Sequence, residues 1–272
     1  MNIILWAIVS LGSIGALGAL ILYFTSKRFY VHEDVRIGEV QDMLPAANCG
    51  GCGYPGCSGF AKACVETDSL DGLFCPVGGS ELMDKVGLYL GKSVEKSNPK
   101  IAVVRCNGDC ENRPRTTLYN GASTCAIVSS LYGGTTGCSY GCLGYGDCVA
   151  VCKFDAIHIN PETQLPEVYD EKCTACGACV DACPKLLIEL RKKGPKSRRI
   201  YVDCRNKDKG AVTKACKVAC IGCGKCVKIC PFEAITLEDN LAYINDDKCR
   251  LCRKCPEVCP TSAIVELNFP VR

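Results

Sequence analysis

Uncharged and mainly apolar residues run without interruption from Ile3 to Phe24. A transmembrane helix needs about 20 consecutive apolar residues, so this stretch is long enough to cross a bilayer. A cleaved signal peptide is the alternative, but the stretch lacks the preceding basic segment that such peptides carry. Lys27 and Arg28 follow it, and positive flanks stay on the cytoplasmic side. We therefore predict an uncleaved anchor at 1–25 in the cytoplasmic (inner) membrane, with the remaining domains in the cytoplasm.

Beyond the anchor, the pattern of apolar and polar positions predicts only short elements. The run from Cys75 to Gly91 predicts a short helix, and Ile101–Arg105 predicts a buried strand. Two segments, 156–168 and 234–244, each follow a strand–turn–strand pattern that is typical of a hairpin. Short helices mixed with hairpins in this way predict an α+β fold.

An internal repeat organises the second half of the chain. Cys148–Ile159 ("CVAVCKFDAIHI") recurs as Cys226–Leu237 ("CVKICPFEAITL"), and Cys173–Pro184 recurs as Cys249–Pro260. The copies are joined by the basic segment Arg191–Arg199 ("RKKGPKSRR"). We interpret this segment as a solvated linker, and a docking patch for an acidic partner remains open.

Composition narrows the class of protein. The chain has 272 residues with 26 cysteines, one Trp and 7% aromatic residues, so large apolar cores are not expected and bound inorganic material is expected in the interior. A net charge of +3 gives no overall field of the kind that favours nucleic acid, and we predict no nucleic-acid partner.

Twelve of the 26 cysteines follow one spacing, C-x2-C-x2-C-x3-C-P, in three separate runs. This is the bacterial ferredoxin signature, in which the fourth cysteine ligates the other [4Fe–4S] cluster of a pair. Zinc, the alternative metal, also uses C-x2-C steps, but not four-cysteine runs that end in proline and recur in pairs. A reducing cytoplasm disfavours disulfides. The three intact runs are Cys173, Cys176, Cys179 and Cys183; Cys220, Cys223, Cys226 and Cys230; and Cys249, Cys252, Cys255 and Cys259.

A fourth run is irregular, with longer spacings and Lys153 in place of the proline, but the repeat aligns it with the first half of a module. Exchange of the fourth cysteines within each pair then predicts four ligand sets. These are Cys138, Cys142, Cys148 and Cys183; Cys173, Cys176, Cys179 and Cys152; Cys220, Cys223, Cys226 and Cys259; and Cys249, Cys252, Cys255 and Cys230.

A further glycine-rich motif, "NCGGCGYPGC", precedes the repeats. Its glycines let the backbone wrap a cluster closely, and we predict Cys49, Cys52, Cys57 and Cys75 as its ligands. Cys64 is interpreted as an ordinary buried thiol, and Cys110 is left out. The remaining cysteines predict a sixth [4Fe–4S] site, with free thiols as the alternative: Cys106, Cys125, Cys204 and Cys216.

The predicted organisation is one amino-terminal transmembrane helix, a small four-Cys iron–sulfur domain and two bacterial-type two-cluster ferredoxin modules. The predicted boundaries are an anchor at 1–25, a connector at 26–38, a four-Cys domain at 39–95, an intermediate segment at 96–137, a first module at 138–190, a basic linker at 191–215 and a second module at 216–272.

The chain resembles the B subunits of Rnf complexes over essentially its whole length. The features that carry this resemblance are the anchor, the "NCGGCGYPGC…CPVGG" domain, and "CSYGCLGYGDC" followed by ferredoxin repeats. These complexes are membrane-bound ferredoxin:NAD+ oxidoreductases. The resemblance implies an electron-transfer subunit of an ion-translocating enzyme, with reduced ferredoxin, the other Rnf subunits and the lipid bilayer as partners. It implies that NAD+ reduction and Na+ or H+ transport occur elsewhere in the complex.

We expect no catalytic residues, flavin or NAD on this chain, since it carries no G-x-G-x-x-G after a strand and no P-loop. Two other functions remain open. One is a polyferredoxin-type electron-transfer subunit of another membrane reductase, and the other is an iron–sulfur redox sensor.

Overall fold

The computed structural model describes residues 2–29, 34–94, 98–131 and 133–270. Helix α1 spans Asn2–Arg28, and its large apolar side chains are uncovered, with Trp6 74% and Leu11 77% exposed. Among the described helices, α1 is the one that is long and apolar enough to cross a membrane. The predicted connector can be followed only in part, because 30–33 lie outside the described residues.

Three helices form the next domain: α2 (Val35–Met43), α3 (Cys57–Glu66) and α4 (Gly79–Leu90). The side chains of Phe60 and Met83 are fully buried at its centre. Lys92 Nζ donates hydrogen bonds to the carbonyl oxygens of Cys64 (2.7 Å) and Val65 (2.9 Å) in the last turn of α3. A cation at this end of a helix satisfies carbonyls that have no partner within the helix.

The first ferredoxin-type module consists of an outer strand pair and an inner hairpin, both antiparallel. The outer pair is β1 (Lys100–Val104) with β4 (Ile188–Lys192), and the hairpin is β2 (Ile157–Ile159) with β3 (Pro166–Val168). The short helices of this half are α5 (Cys125–Leu131), α6 (Asp147–Ala150) and α7 (Ala178–Asp181).

The second module repeats this plan. Its outer pair is β5 (Arg199–Val202) with β8 (Ile264–Leu267), and its hairpin is β6 (Ile235–Glu238) with β7 (Leu241–Ile244). Its helices are α8 (Val212–Ala215), α9 (Lys225–Ile229) and α10 (Lys254–Glu257). The predicted strand at 101–105 and both predicted hairpins are therefore present.

The strands of each module extend beyond its cysteine runs. The intermediate segment 96–137, in which a strand was predicted, begins with β1, and the segment 191–215 contains β5, so the strand pairing of each module starts before its cysteine runs. The reason is that the first strand of each module pairs with the last one, and β1 and β4 are separated by most of the module. Cysteine spacing carries no information about such a distant strand partner.

The interpretation of Arg191–Arg199 as a solvated linker does not hold for the two ends of the segment, although Pro195 and Lys196 between them are exposed. Arg191 is 3% exposed and Arg199 is 5% exposed, and each forms an ion pair with an acidic residue from outside the segment. Arg191 pairs with Glu189 at 2.7 Å, and Arg199 pairs with Asp170 at 2.7 Å. Burial of these guanidinium groups makes the segment part of the contact between the modules rather than a free basic patch.

A buried charge network joins the two modules. Glu189 accepts from Arg191 and also from Arg105, whose Nη1 lies 3.2 Å away. Arg105 also donates to the carbonyl oxygens of Val202 (3.1 Å) and Cys204 (3.1 Å) in the second module. Because a single carboxylate balances two buried cations, its loss leaves charge uncompensated inside the protein.

We therefore expect Glu189→Gln to destabilise the chain by about 3 kcal/mol, the lower end of the effect of breaking a buried ion pair. The measurement is the denaturant midpoint of cluster loss, followed anaerobically by visible absorption. Glu238→Gln is the control, because Glu238 is an exposed strand glutamate and its loss should leave the midpoint unchanged. Equal midpoints for the two variants would contradict the role given to this network.

Candidate metal centres

The cysteine side chains gather into six groups of four, which we number by spatial succession. The groups are site 1 (Cys49, Cys52, Cys57, Cys75), site 2 (Cys152, Cys173, Cys176, Cys179), site 3 (Cys125, Cys142, Cys148, Cys183), site 4 (Cys106, Cys138, Cys204, Cys216), site 5 (Cys220, Cys223, Cys226, Cys259) and site 6 (Cys230, Cys249, Cys252, Cys255).

Site 1 is built from the loop before α3 and the turn before α4. Asn48 Oδ1 accepts a 2.8 Å hydrogen bond from the backbone N–H of Cys57, which holds the start of α3 against the loop. The backbone N–H of Gly78 lies 3.4 Å from Cys75 Sγ and donates to it. The structure thus brings together the four cysteines predicted from the "NCGGCGYPGC" motif.

Sites 2, 5 and 6 contain the cysteine sets expected from run spacing. In each module a short helix carries the fourth cysteine of a run away from its own group and into the neighbouring one. The sulfur atoms of Cys152 and Cys259 each accept a 3.3 Å hydrogen bond from the backbone N–H four residues later, and that of Cys183 accepts one of 3.4 Å. Hydrogen bonds to ligand sulfurs are one determinant of cluster potential.

Site 3 differs from the predicted set at one position, where Cys125 takes the place of Cys138. In the repeat, Tyr145 stands where the second module has Cys223, so the run lacks its second cysteine. Cys125, at the start of α5, fills the gap, because the Asp147 carboxylate accepts from the backbone N–H groups of Cys125 (2.9 Å) and Ala126 (3.0 Å). Backbone N–H groups around Tyr145 then face the Cys125 sulfur.

Site 4 accordingly contains Cys138 where Cys125 was predicted. Its cysteines occupy equivalent positions in the two modules. Cys106 follows the first strand of the first module, and Cys204 follows the first strand of the second. Cys138 and Cys216 each lie four residues before the first cysteine of the next group, Cys142 and Cys220 respectively. Asn206 connects the two halves, since its backbone N–H donates to Cys204 Sγ and its side chain donates to Cys138 Sγ, both at 3.4 Å. The parallel between "IAVVRC" and "IYVDC" is the sequence signal that would have revealed this pairing.

Two cysteines lie outside the six groups. Cys64 is fully buried in α3, and burial raises the pKa of its thiol to about 11. Cys110 is exposed, with its Sγ 3.9 Å from the carbonyl oxygen of Thr163. Cys64 thus occupies the buried core position that the sequence suggested.

Burial dominates the electrostatics of the groups. It raises the thiol pKa to about 12 at Cys142, Cys179, Cys204 and Cys255, and neighbouring cysteines add to the effect. Thiols with such pKa values stay protonated at neutral pH unless a metal displaces the proton. The sites therefore favour a cofactor of high positive charge that binds several thiolates at once.

The spacing of the sulfurs favours a cluster over a single ion. A tetrahedral zinc site would hold four sulfurs about 2.3 Å from one point. Among the described residues, no three His, Cys, Asp or Glu side chains come close enough together to hold one metal ion. All 26 cysteines are also free of disulfides. Four sulfurs around a cavity, with backbone N–H groups directed at them, fit a [4Fe–4S] cluster.

Neighbouring sites are connected through direct contacts. The backbone of Gly51 at site 1 lies against Cys176 of site 2, so closely that a Cβ on Gly51 would be 2.6 Å from the Cys176 carbonyl oxygen. Lys153 Nζ also donates to the Asn48 carbonyl oxygen at 3.2 Å across this junction.

Site 4 contacts one site in each module by the same kind of hydrogen bond. The backbone N–H of Cys142, in site 3, lies 3.5 Å from Cys106 Sγ. In the second module, the backbone N–H of Cys220, in site 5, donates to the sulfur of Cys204. Within each module the exchanged fourth cysteines connect the paired sites, so the six sites form one continuous series.

Each module consists of an outer strand pair and an inner hairpin, and it contains two four-cysteine groups. This arrangement defines a multi-site protein of the ferredoxin type. Family models for a 4Fe–4S dicluster domain match residues 136–188, 172–234 and 219–263, and the model of an Fe–S cluster family matches residues 44–71. These matches cover the cysteine runs of both modules and the loop of site 1.

Three similar proteins carry related names. The chain is 46% identical over 252 residues to the B subunit of the Na+-translocating ferredoxin:NAD+ oxidoreductase complex of Acetobacterium woodii, covering 92% of this chain and 74% of that protein. It is 39% identical over 250 residues to the B subunit of the proton-translocating ferredoxin:NAD+ oxidoreductase complex of Clostridium ljungdahlii (92% and 87% covered). It is also 39% identical over 251 residues to the B subunit of the ion-translocating oxidoreductase complex of Methanosarcina acetivorans (91% and 92%). The chain therefore belongs to the family of Rnf complex B subunits.

The regrouping of Cys125 and Cys138 makes a quantitative prediction. Replacing both Cys106 and Cys138 by Ala removes two ligands from site 4 alone, so we expect the loss of one cluster, about four of about 24 irons per chain. Replacing both Cys106 and Cys125 damages sites 3 and 4 and should lose about eight. Iron and acid-labile sulfide of anaerobically purified protein are the measurements.

Cys64→Ala/Cys110→Ala is the matched control, which should keep its full iron content. The grouping predicted from sequence reverses the order of the two ligand variants, and that reversed order would refute the grouping seen in the structure.

Proposed function

We propose that this chain is the electron-conducting subunit of an Rnf-type ferredoxin:NAD+ oxidoreductase, and that it takes electrons from reduced ferredoxin and passes them to membrane subunits. Family membership supports the enzyme complex over another membrane reductase. The continuous series of six cysteine sites is the observation that carries the proposal, because a redox sensor has no use for such a series. NAD+ reduction and ion transport are assigned to other subunits.

The cofactor assignment is six [4Fe–4S] clusters with the ligands of sites 1 to 6. Bound clusters supply one-electron redox chemistry, over roughly −700 to +450 mV depending on their surroundings. The chain supplies the thiolates, the N–H donors to sulfur and the exclusion of water. The dicluster matches and the four-cysteine composition of each group support this number.

Electron entry is assigned to the second module. Cys223 of site 5 and Cys252 of site 6 are exposed, whereas the cysteines of sites 3 and 4 are buried or half-buried. Arg250 and Lys254 are exposed beside Cys252. A positive surface around an accessible site would steer an acidic ferredoxin toward it, and such steering acts mainly on the association rate. Site 1, in the domain that follows α1 along the chain, is then the exit toward the membrane.

The docking surface can be tested with Arg250→Gln/Lys254→Gln. We expect about tenfold slower reduction by ferredoxin at low salt, with the difference shrinking as salt rises, because screening removes the steering. Stopped-flow absorbance of the full chain gives the rates. Lys62→Gln/Lys85→Gln, which removes the same charge from the first domain, is the control. Equal slowing in both variants would place docking elsewhere.

The membrane topology is assigned from Lys27 and Arg28, which occupy the last turn of α1. Positive residues beside a transmembrane helix remain on the cytoplasmic side, so all six sites should face the cytoplasm. A reporter fused after the carboxy terminus should be active in the cytoplasm. Activity on the opposite side of the membrane would overturn the assignment, and Lys27→Glu/Arg28→Glu should weaken the orientation.

A further inference from the structure

Arg113 is a buried arginine between sites 3 and 4, with 8% of its surface exposed. Its guanidinium donates three hydrogen bonds: Nε to the Gly108 carbonyl oxygen (3.1 Å), Nη1 to Thr136 Oγ1 (3.1 Å) and Nη2 to the Cys142 carbonyl oxygen (2.6 Å). Since Cys142 belongs to site 3, one edge of the guanidinium is held directly against the backbone of that site.

The same side chain reaches site 4. Arg113 lines the cavity of site 4 together with Cys106 and Cys216. Gly108 separates it from the Cys216 sulfur, and a Cβ at this glycine would lie 3.2 Å from both Arg113 Nε and Cys216 Sγ. A residue without a side chain therefore brings the cation as close to site 4 as the backbone allows.

No carboxylate of the described residues lies within ion-pair distance of Arg113 (the ion pairs of the described chain involve other cations). The neighbouring Asp109 carboxylate accepts instead from the backbone N–H groups of Glu111 (3.0 Å) and Asn112 (2.7 Å). A buried cation without a counter-charge is costly. Clusters ligated by four thiolates are anionic, so clusters held at sites 3 and 4 would supply that counter-charge on two sides.

Arg113 lies within electrostatic range of cysteines from both sites. Cys142 belongs to site 3, and Cys106 and Cys216 belong to site 4. One cation thus acts on two sites in different parts of the chain.

We propose that Arg113 is a positioning residue that raises the reduction potentials of sites 3 and 4 together and so sets the electron step into the first module. The inference rests on the proposed function, because it requires clusters at both sites. A cation beside a cluster stabilises the form with the extra electron, since net charge is one determinant of cluster potential.

The test is a potentiometric titration of the full chain, purified anaerobically in detergent and followed by electron paramagnetic resonance. In Arg113→Gln we expect two components to shift to lower potential, each by about tenfold in the one-electron equilibrium, which is about 59 mV. Arg113→Lys keeps the charge but has all its donors on one nitrogen, so it cannot span the three acceptors that Arg113 binds, and it should restore most of the shift. Arg115→Gln is the control, because Arg115 is exposed and two residues away, and it should leave all potentials unchanged.

Gly141→Ala provides a second route should Arg113→Gln fail to assemble. A Cβ at Gly141 would collide with Arg113 Nη1, so the guanidinium must move while its charge is kept. We expect a smaller shift in the same direction.

Three results would overturn the proposal: unchanged potentials in an iron-replete Arg113→Gln, unchanged potentials in Gly141→Ala, or no recovery with lysine. Low iron and sulfide in the unaltered chain would instead refute the proposed function itself.

Discussion

The part of the chain that follows α1 depends on one conflict: many of its cysteine sulfurs are buried, yet they must be ionised to bind iron. Burial, with a smaller contribution from neighbouring cysteines, raises the pKa of Cys142 and Cys204 to about 12, so thiolates there are stable only with metal. The module cores contain cysteines beside modest apolar groups such as Ala242 and Val202. Metal binding is therefore coupled to the folding of the modules, whereas the first domain also has a packed centre of its own around Phe60 and Met83.

Regular spacing allowed a large part of the site to be predicted from sequence. The motif at site 1 and the runs of sites 2, 5 and 6 were grouped as the structure has them, because a short loop forces its own cysteines to converge. Cys125 and Cys138 were exchanged because Tyr145 interrupts one run, and the replacement comes from a distant helix held by Asp147. Cysteine spacing relates only residues that are close along the chain, so it cannot identify a ligand that a distant element contributes.

The prediction of solvent exposure from the charge pattern of Arg191–Arg199 failed for a related reason. Six basic residues in a short segment suggested solvent exposure, but Arg191 and Arg199 have acidic partners, Glu189 and Asp170, outside the segment. These buried ion pairs make the contact between the modules specific. Arg105, Glu189 and Arg191 join the strands of both modules, and site 4 takes two cysteines from each, so a complete site 4 requires correct docking.

Gly51 has a consequence for the speed of the chain as a conductor. Its backbone lies against Cys176 at the junction between the first domain and the first module, in a space with no room for a Cβ. Tunnelling rates fall exponentially with the gap between redox centres. The absence of one methyl group at this position therefore keeps the junction short, and the closeness of the two units is determined by the smallest side chain available to a protein.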